Sequence, residues 1–432
     1  MIKKYNSSFS YDNFSLKVEK EFALISAFVL LINLFLEAYY FVFISNHFNY
    51  LGFKLDFSIV KYLETKLLLF LFFIYSLHLF KKSSFIYSIF VLLVILFYIP
   101  ISILYSFMDS IGDPIYSVTF FLTIYTLIAP KKINIKTICL SAQNKFLILF
   151  GMALILVIPI FLNFGWNINL KTLFFNEIYE TRALFSKNLS TIQDYFYSWE
   201  VKIIIPILLI FLLIHQKYLL ALLTFSILLY LYMISGNKSV YASTIVVLFF
   251  YFFGQDFSTK TRYFLQLLFF GLILIPLVDI YYIKNVFFSG IFVMRVFFFP
   301  SLLTYCYFDY FSNFSLYLSE HSFFNVFFQS PLEMKSALLI SKVYFNTNDM
   351  YANNGIISDG YMNMGYIGVL MFSVVFSSIF LFFNSIRIDP RYYGIFFISI
   401  FFLLSIPFFT VLISGGLWLL IILSFFIMQK RI

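Results

Sequence analysis

The chain is poor in charge. Only 11% of its 432 residues are Asp, Glu, Lys or Arg, against about 25% in soluble domains, and the mean hydropathy is +0.94. Together these exclude a water-soluble globular domain. Cysteine is nearly missing. Cys139 and Cys306 lie far apart, so there is neither a disulfide framework nor a metal-type cysteine spacing. No phosphate-cradling glycine-rich loop, HExxH or GxSxG occurs, which removes the common soluble catalytic signatures. No leader pattern is visible either. Met1 to Lys20 are polar, and the apolar stretch that follows is too long for a signal core.

What is present is greasy helix. Hydrophobic residues make up 62% of the chain, with 65 Phe and 33 Tyr. A span needs roughly twenty apolar residues, and on that basis an all-α polytopic membrane protein with about twelve transmembrane helices is expected. The spans fall near 22–44, 63–80, 85–107, 114–130, 145–165, 201–214, 218–235, 239–254, 263–281, 365–384, 392–411 and 414–428. Pro100, Pro159, Pro206, Pro276 and Pro407 sit inside them and are expected to kink them. The net charge of +9 is scattered through short inter-span segments, which fits a membrane topology and not a nucleic-acid surface.

The Lys and Arg bias orients the chain. With the N-terminus inside, the inner segments hold seventeen of the 29 bases, from Lys3 and Lys4 to Lys430 and Arg431, against five acids. The expected organisation is a cytoplasmic tail at 1–21, nine membrane helices over 22–281 with a periplasmic loop at 166–200, a large periplasmic loop at 282–364, and three helices over 365–432. Residues 287–308 are apolar enough to cross. Crossing there would turn Arg387 and Arg391 outward and leave Arg295 near mid-membrane, so a re-entrant or interfacial segment broken at Pro300 is expected.

Several residues at the outer boundary carry chemistry. Arg182 and Arg295 are guanidinium groups among apolar side chains. Each either grips a phosphate or pyrophosphate or snorkels to headgroups, Arg182 having Glu177 and Glu180 as candidate partners. Lys238 lies in ISGNKSVY, either in a plain turn capped by Ser239 or as a third cation of the same face. The stretch 351–368 brings Asn353, Asn354, Asp359, Tyr361 and Asn363 to the edge of a span, with Gly365 and Gly368 spaced for close packing. His321, Asp309 and Glu320 are candidate proton acceptors in the large loop, each read more readily as a solvated loop residue. Glu37 is left inside the first span, either paired or facing a cavity.

SGNKS at 235–239, the external arginines Arg182 and Arg295, and NNGIISDGYMNMGYIG at 353–368 resemble the Wzy-type O-antigen and oligosaccharide repeat-unit polymerases of bacteria. The last stretch is also similar to O-antigen ligases, which carry a His beside an Asn where this chain has Asn354. An arginine–ten residues–glycine pattern of some polymerase loops is absent, Gln193 and Cys306 standing at those positions. The resemblance implies a GT-C-like fold in the bacterial inner membrane with its active site facing the periplasm. It implies a glycosyltransferase that moves a glycan from undecaprenyl pyrophosphate onto a new lipid-linked repeat unit. Membrane lipid, a chain-length regulator and a flippase are its implied partners. No cofactor or metal is expected, since cations can stabilise the departing pyrophosphate. Arg182 and Arg295 are expected to hold pyrophosphates with Lys238 in support. Asp359 is expected to orient or deprotonate the acceptor, and Asn353, Asn354 and Tyr361 to bind sugar. A lipid-linked oligosaccharide flippase and a ligase are the alternative readings.

Overall fold

The computed structural model describes residues 8–138, 140–174, 176–321, 329–348 and 350–430. Of the residues named above, Lys3, Lys4, Cys139 and Arg431 lie outside this set, as do the side chain of Ser239 and the cap expected of it. The described chain is all helical, with two isolated bridges and no sheet among the described residues. In hydrocarbon this is the expected outcome, since a helix satisfies its backbone groups within one segment.

Nine helices among the described residues are long and apolar enough to cross a membrane. They are Glu19–His47 (α1), Ile59–Lys82 (α2), Ser84–Phe107 (α3), Ala142–Phe164 (α5), Thr191–Ile214 (α7), Tyr218–Ser235 (α8), Phe257–Ile283 (α10), Ser289–Tyr310 (α11) and Ile356–Ser385 (α13). Shorter helices complete the chain: Asp113–Ile128 (α4), Ile178–Asn188 (α6), Lys238–Phe252 (α9), Ser336–Phe345 (α12), Tyr393–Phe402 (α14), Phe408–Leu412 (α15) and Leu417–Phe426 (α16). Against the about twelve spans expected, nine helices among the described residues meet the length and hydropathy needed. The expected spans at 114–130 and 239–254 are short helices. The two at 392–411 and 414–428 are divided, the first ending before Pro407 and the second beginning only after Gly416, whose φ is +81°.

The helices form two compact units, Met1–Pro130 with Gln255–Ser378, and Lys131–Gly254 with Ile379–Ile432. These interleave along the chain. In the first unit α3 is buried along its whole apolar length. It is hydrophobic all round, as a helix enclosed by others must be. In the second unit the run from Ile203 to Leu212 in α7 is buried throughout.

The segment expected to break at Pro300 does not break. It is one 22-residue helix, α11, whose first half is π-helical from Ser289 to Phe298. Proline lacks an amide hydrogen and its ring crowds the carbonyl one turn back. A widened turn just before it relieves that crowding. The same device recurs at Val94–Tyr98 before Pro100 and Glu200–Ile204 before Pro206. The start of α11 is anchored by Asp279, whose carboxylate accepts from the Phe288 and Ser289 amides at 2.9 and 2.6 Å. Among the described residues, 282–364 hold α11, α12 and the first turns of α13. Residues 166–200 likewise hold α6 and the first turns of α7.

Glu37 in α1 is paired and not cavity-facing. It forms an ion pair with Lys66 of α2 and accepts from Asn33 at 2.7 Å and Tyr62 at 3.3 Å. In α13 the helix is interrupted at Met364 and Gly365, and Gly365 takes φ +57° and ψ −144°, a conformation open to glycine alone. Across this break the backbones of Gly360 and Gly368 meet. A Cβ on Gly368 would lie 1.9 Å from the Gly360 carbonyl oxygen. The glycine partnership is therefore 360 with 368, and Gly365 makes the turn. Gly368→Ala is expected to lower the thermal midpoint of the purified protein, at a cost of about 1–3 kcal/mol for overpacking. An unchanged midpoint would show that the two backbones do not touch.

Candidate functional site

Arg182 and Lys238 come together in the second unit. Helix α6 carries Tyr179 and Arg182 one turn apart, and its buried face, including Phe185, packs into a core with Tyr197, Leu228, Leu231 and Tyr232. The turn after α8 brings Lys238 to the same place. Gly236 makes that turn at φ +59°, and a Cβ there would stand 2.7 Å from the Ile178 carbonyl oxygen, so only glycine lets α6 approach so closely. The Arg182 guanidinium donates to the Gly236 carbonyl at 3.1 Å. Arg182 and Lys238 lie 5.9 and 5.6 Å from the centroid of the Tyr179 ring, one aromatic ring serving both cations.

Neither cation has a carboxylate partner among the described residues. Glu177, a candidate partner of Arg182, is taken up by Lys171, which hydrogen-bonds it and holds its carboxyl below the ordinary range; Asn169 adds a second bond at 3.2 Å. The Nε of Arg182 is buried without a hydrogen-bond partner. Beside it opens a cavity of about 360 Å³ lined by Arg182, Ser186, Ser190, Asp194, Tyr197 and Asn237 among others. Tyr197 donates to or accepts from Ser235 at 2.7 Å, and the Asn237 amide donates to Ser235 at 3.2 Å, which fixes the turn against α7. The cavity wall thus offers the Arg182 guanidinium and several hydroxyls together with one carboxylate, Asp194, and the Lys238 ammonium lies beside the same Tyr179 ring.

The remaining expected residues belong to the first unit. Asp359 is fully buried. One of its oxygens accepts from Asn363 at 2.9 Å and Asn354 at 3.5 Å, and stands 3.8 Å from Nε2 of His321. The loop bearing His321 is tied to α13 by amide bonds from Leu316 to the Met362 carbonyl, from Tyr317 to the Asn363 carbonyl and from Leu318 to the Asn363 side chain, at 2.9–3.0 Å. Tyr317 and Leu318 both take positive φ, 50° and 64°, a strain that those three bonds hold in place. Of the loop acceptors, Glu320 accepts from the Ser336 amide and hydroxyl at the start of α12, and Asp309 accepts from Tyr344. His321 is the one left facing a buried carboxylate.

Other expected residues are placed apart from such chemistry. Tyr361 is buried, its ring stacked on Phe308 at 3.9 Å, a packing position and not an open sugar platform. Asn353 is exposed and Asn354 buried. Arg295 is exposed on the π-helical part of α11 with no ion pair among the described residues. It therefore lies on a helix long enough to cross, the placement the charge argument had avoided.

Sequence reasoning missed Tyr179 and Glu200. Tyr179 was legible, since a spacing of three puts it on the Arg182 face of a helix. His321 was named as a proton acceptor, but not its proximity to Asp359, because no spacing rule links residues so far apart in sequence. Glu200 fell within the external stretch expected at 166–200. With α7 starting at Thr191, Glu200 lies inside a candidate span, fully buried, with neither carboxylate oxygen hydrogen-bonded.

Gly236→Ala is expected to destabilise the protein by about 1–3 kcal/mol, because it combines a strained φ with a backbone clash. Thermal unfolding of the purified protein measures this, and wild-type stability would mean that α6 does not close on the turn. No protein-family model, no curated protein and no solved structure matches this chain.

Proposed function

We propose that this protein is an O-antigen polymerase, a glycosyltransferase joining undecaprenyl-pyrophosphate-linked repeat units at the periplasmic face of the bacterial inner membrane. The observation that carries the reading is the pair of cations, Arg182 and Lys238, gathered on Tyr179 without a carboxylate partner among the described residues. Arg182 is half-buried with its Nε unbonded, and a partly desolvated cation is costly unless an anion joins it. A donor whose leaving group is a lipid pyrophosphate supplies that anion.

In the reaction a hydroxyl oxygen of the acceptor sugar forms a bond to the anomeric carbon of the donor. The bond from that carbon to the pyrophosphate oxygen breaks, and the electron pair leaves with the polyprenyl pyrophosphate. Arg182 and Lys238 bind the growing negative charge, the main electrostatic need of this step. The hydroxyl proton passes to a base. Arg295 is assigned to a lipid-borne phosphate on the apolar face of α11, and the exposed Asn353 to sugar.

Deletion of the gene is expected to leave surface glycan with one repeat unit where the wild type shows a ladder. Polymer retained on its lipid carrier would indicate a ligase. Arg182→Ala combined with Lys238→Ala is expected to reduce polymerisation at least about a hundredfold while the protein stays inserted. Normal ladders from an Arg182→Ala, Arg295→Ala double variant would remove this mechanism.

One observation favours a second reading, a lipid-linked oligosaccharide transporter. Glu200 is a buried carboxyl with unbonded oxygens within α7, and an intramembrane acid is a common proton carrier. On that reading Glu200→Gln abolishes all surface glycan and traps lipid-linked units inside. On the polymerase reading it leaves at least single units exported.

A further inference from the structure

The second unit holds another cavity, of about 590 Å³, with a different character. Four cations line it, Lys136, Lys145, Arg387 and Lys430, together with the amides of Asn134 and Gln429, and no carboxylate is among its described lining residues. The acid nearest in sequence, Asp389, is occupied by Arg391 through paired hydrogen bonds at 2.5–3.1 Å.

The cavity is built and not merely a loose surface. Lys145 is 7% exposed and its ammonium donates to the Ile427 carbonyl at 2.9 Å. Ile388 and Gln429 pair as an antiparallel bridge, and the Lys430 amide donates to the Arg387 carbonyl at 3.0 Å. Arg387 takes φ +54° to make that pairing. Two cations from distant parts of the chain are thereby fixed side by side. Isoleucine and leucine side chains complete the wall, so a charged group with an apolar continuation fits it.

We propose that this cavity is a binding site for a phosphate-bearing anion, the headgroup of an acidic membrane phospholipid being the source its mixed wall favours. Its volume is within the range that holds a small ligand, and basic pockets at helix ends bind such headgroups. The inference does not rest on the polymerase reading. The Lys and Arg bias directs this face to the cytoplasm, away from the side proposed for glycan transfer.

The test uses the full-length protein in nanodiscs of phosphatidylcholine, with and without phosphatidylglycerol, and separately with glycerol 3-phosphate in solution. Phosphatidylglycerol is expected to raise the thermal midpoint of the wild type and to be retained by it in native mass spectrometry. Lys136→Gln, Arg387→Gln and Lys430→Gln together should remove both effects, apparent affinity falling roughly fivefold for each cation lost. Lys131→Gln with Lys132→Gln, which removes nearby charge outside the cavity, should leave both intact. A shift given only by glycerol 3-phosphate would keep the phosphate site and assign it a soluble ligand. Full retention by the triple variant, or equal loss in the Lys131, Lys132 control, would overturn the proposal. Should the triple variant not fold, Arg387→Gln alone tests an exposed side chain of the wall.

Discussion

A backbone amide in hydrocarbon has no water to bond, so each N–H and C=O must find its partner within the chain. The helices of this protein and their departures from ideality follow from that constraint. Proline removes a donor and crowds a carbonyl, and in Val94–Tyr98, Glu200–Ile204 and Ser289–Phe298 a π-helical stretch absorbs the crowding and lets the helix run on. The adjustment has a chemical consequence. Three charged residues in candidate spans, Glu200, Lys202 and Arg295, lie within these stretches, where the extra residue in the turn alters the direction of the side chains.

Charge in the apolar phase sorts into two kinds. Glu37 with Lys66, Glu21 with Arg262, and Asp279 with two amides are satisfied by the chain itself. These groups join helices, and their neutralised charge has no surplus for a ligand. Arg182, Lys238 and Arg295 have no ion-pair partner among the described residues; Arg182 is half-buried with its Nε unbonded, whereas Lys238 and Arg295 are exposed.

Close backbone approach sets both polar clusters. Gly236 admits α6 to the turn that holds Lys238, and Gly360 with Gly368 folds the first turns of α13 back on the rest of that helix. The folded-back turns carry Asn354, Asp359 and Asn363 into one cluster and offer the carbonyls that tie down Tyr317 and Leu318. Strain at those two residues is the cost of presenting His321 to Asp359. Each cluster thus depends on glycines that touch no ligand.

Composition by itself determined that this is a multi-pass helical membrane protein, because burying apolar residues in runs of about twenty leaves a chain no other compact state. It also marked Arg182, Lys238 and Asp359, since charge at an apolar boundary is visible in a single dimension. Span limits were less legible. Hydropathy read Pro300 as a break and residues 191–200 as loop, while packing made continuous helices of both. Only the tertiary structure decided which charges are paired, since Glu37 finds Lys66 and Asp359 finds His321 across sequence distances that no periodicity reports. It alone separated Tyr361, enclosed on Phe308, from the open Tyr179 face. Pairing and enclosure depend on which helix faces meet, and that is settled by side-chain shape and close backbone contact in three dimensions.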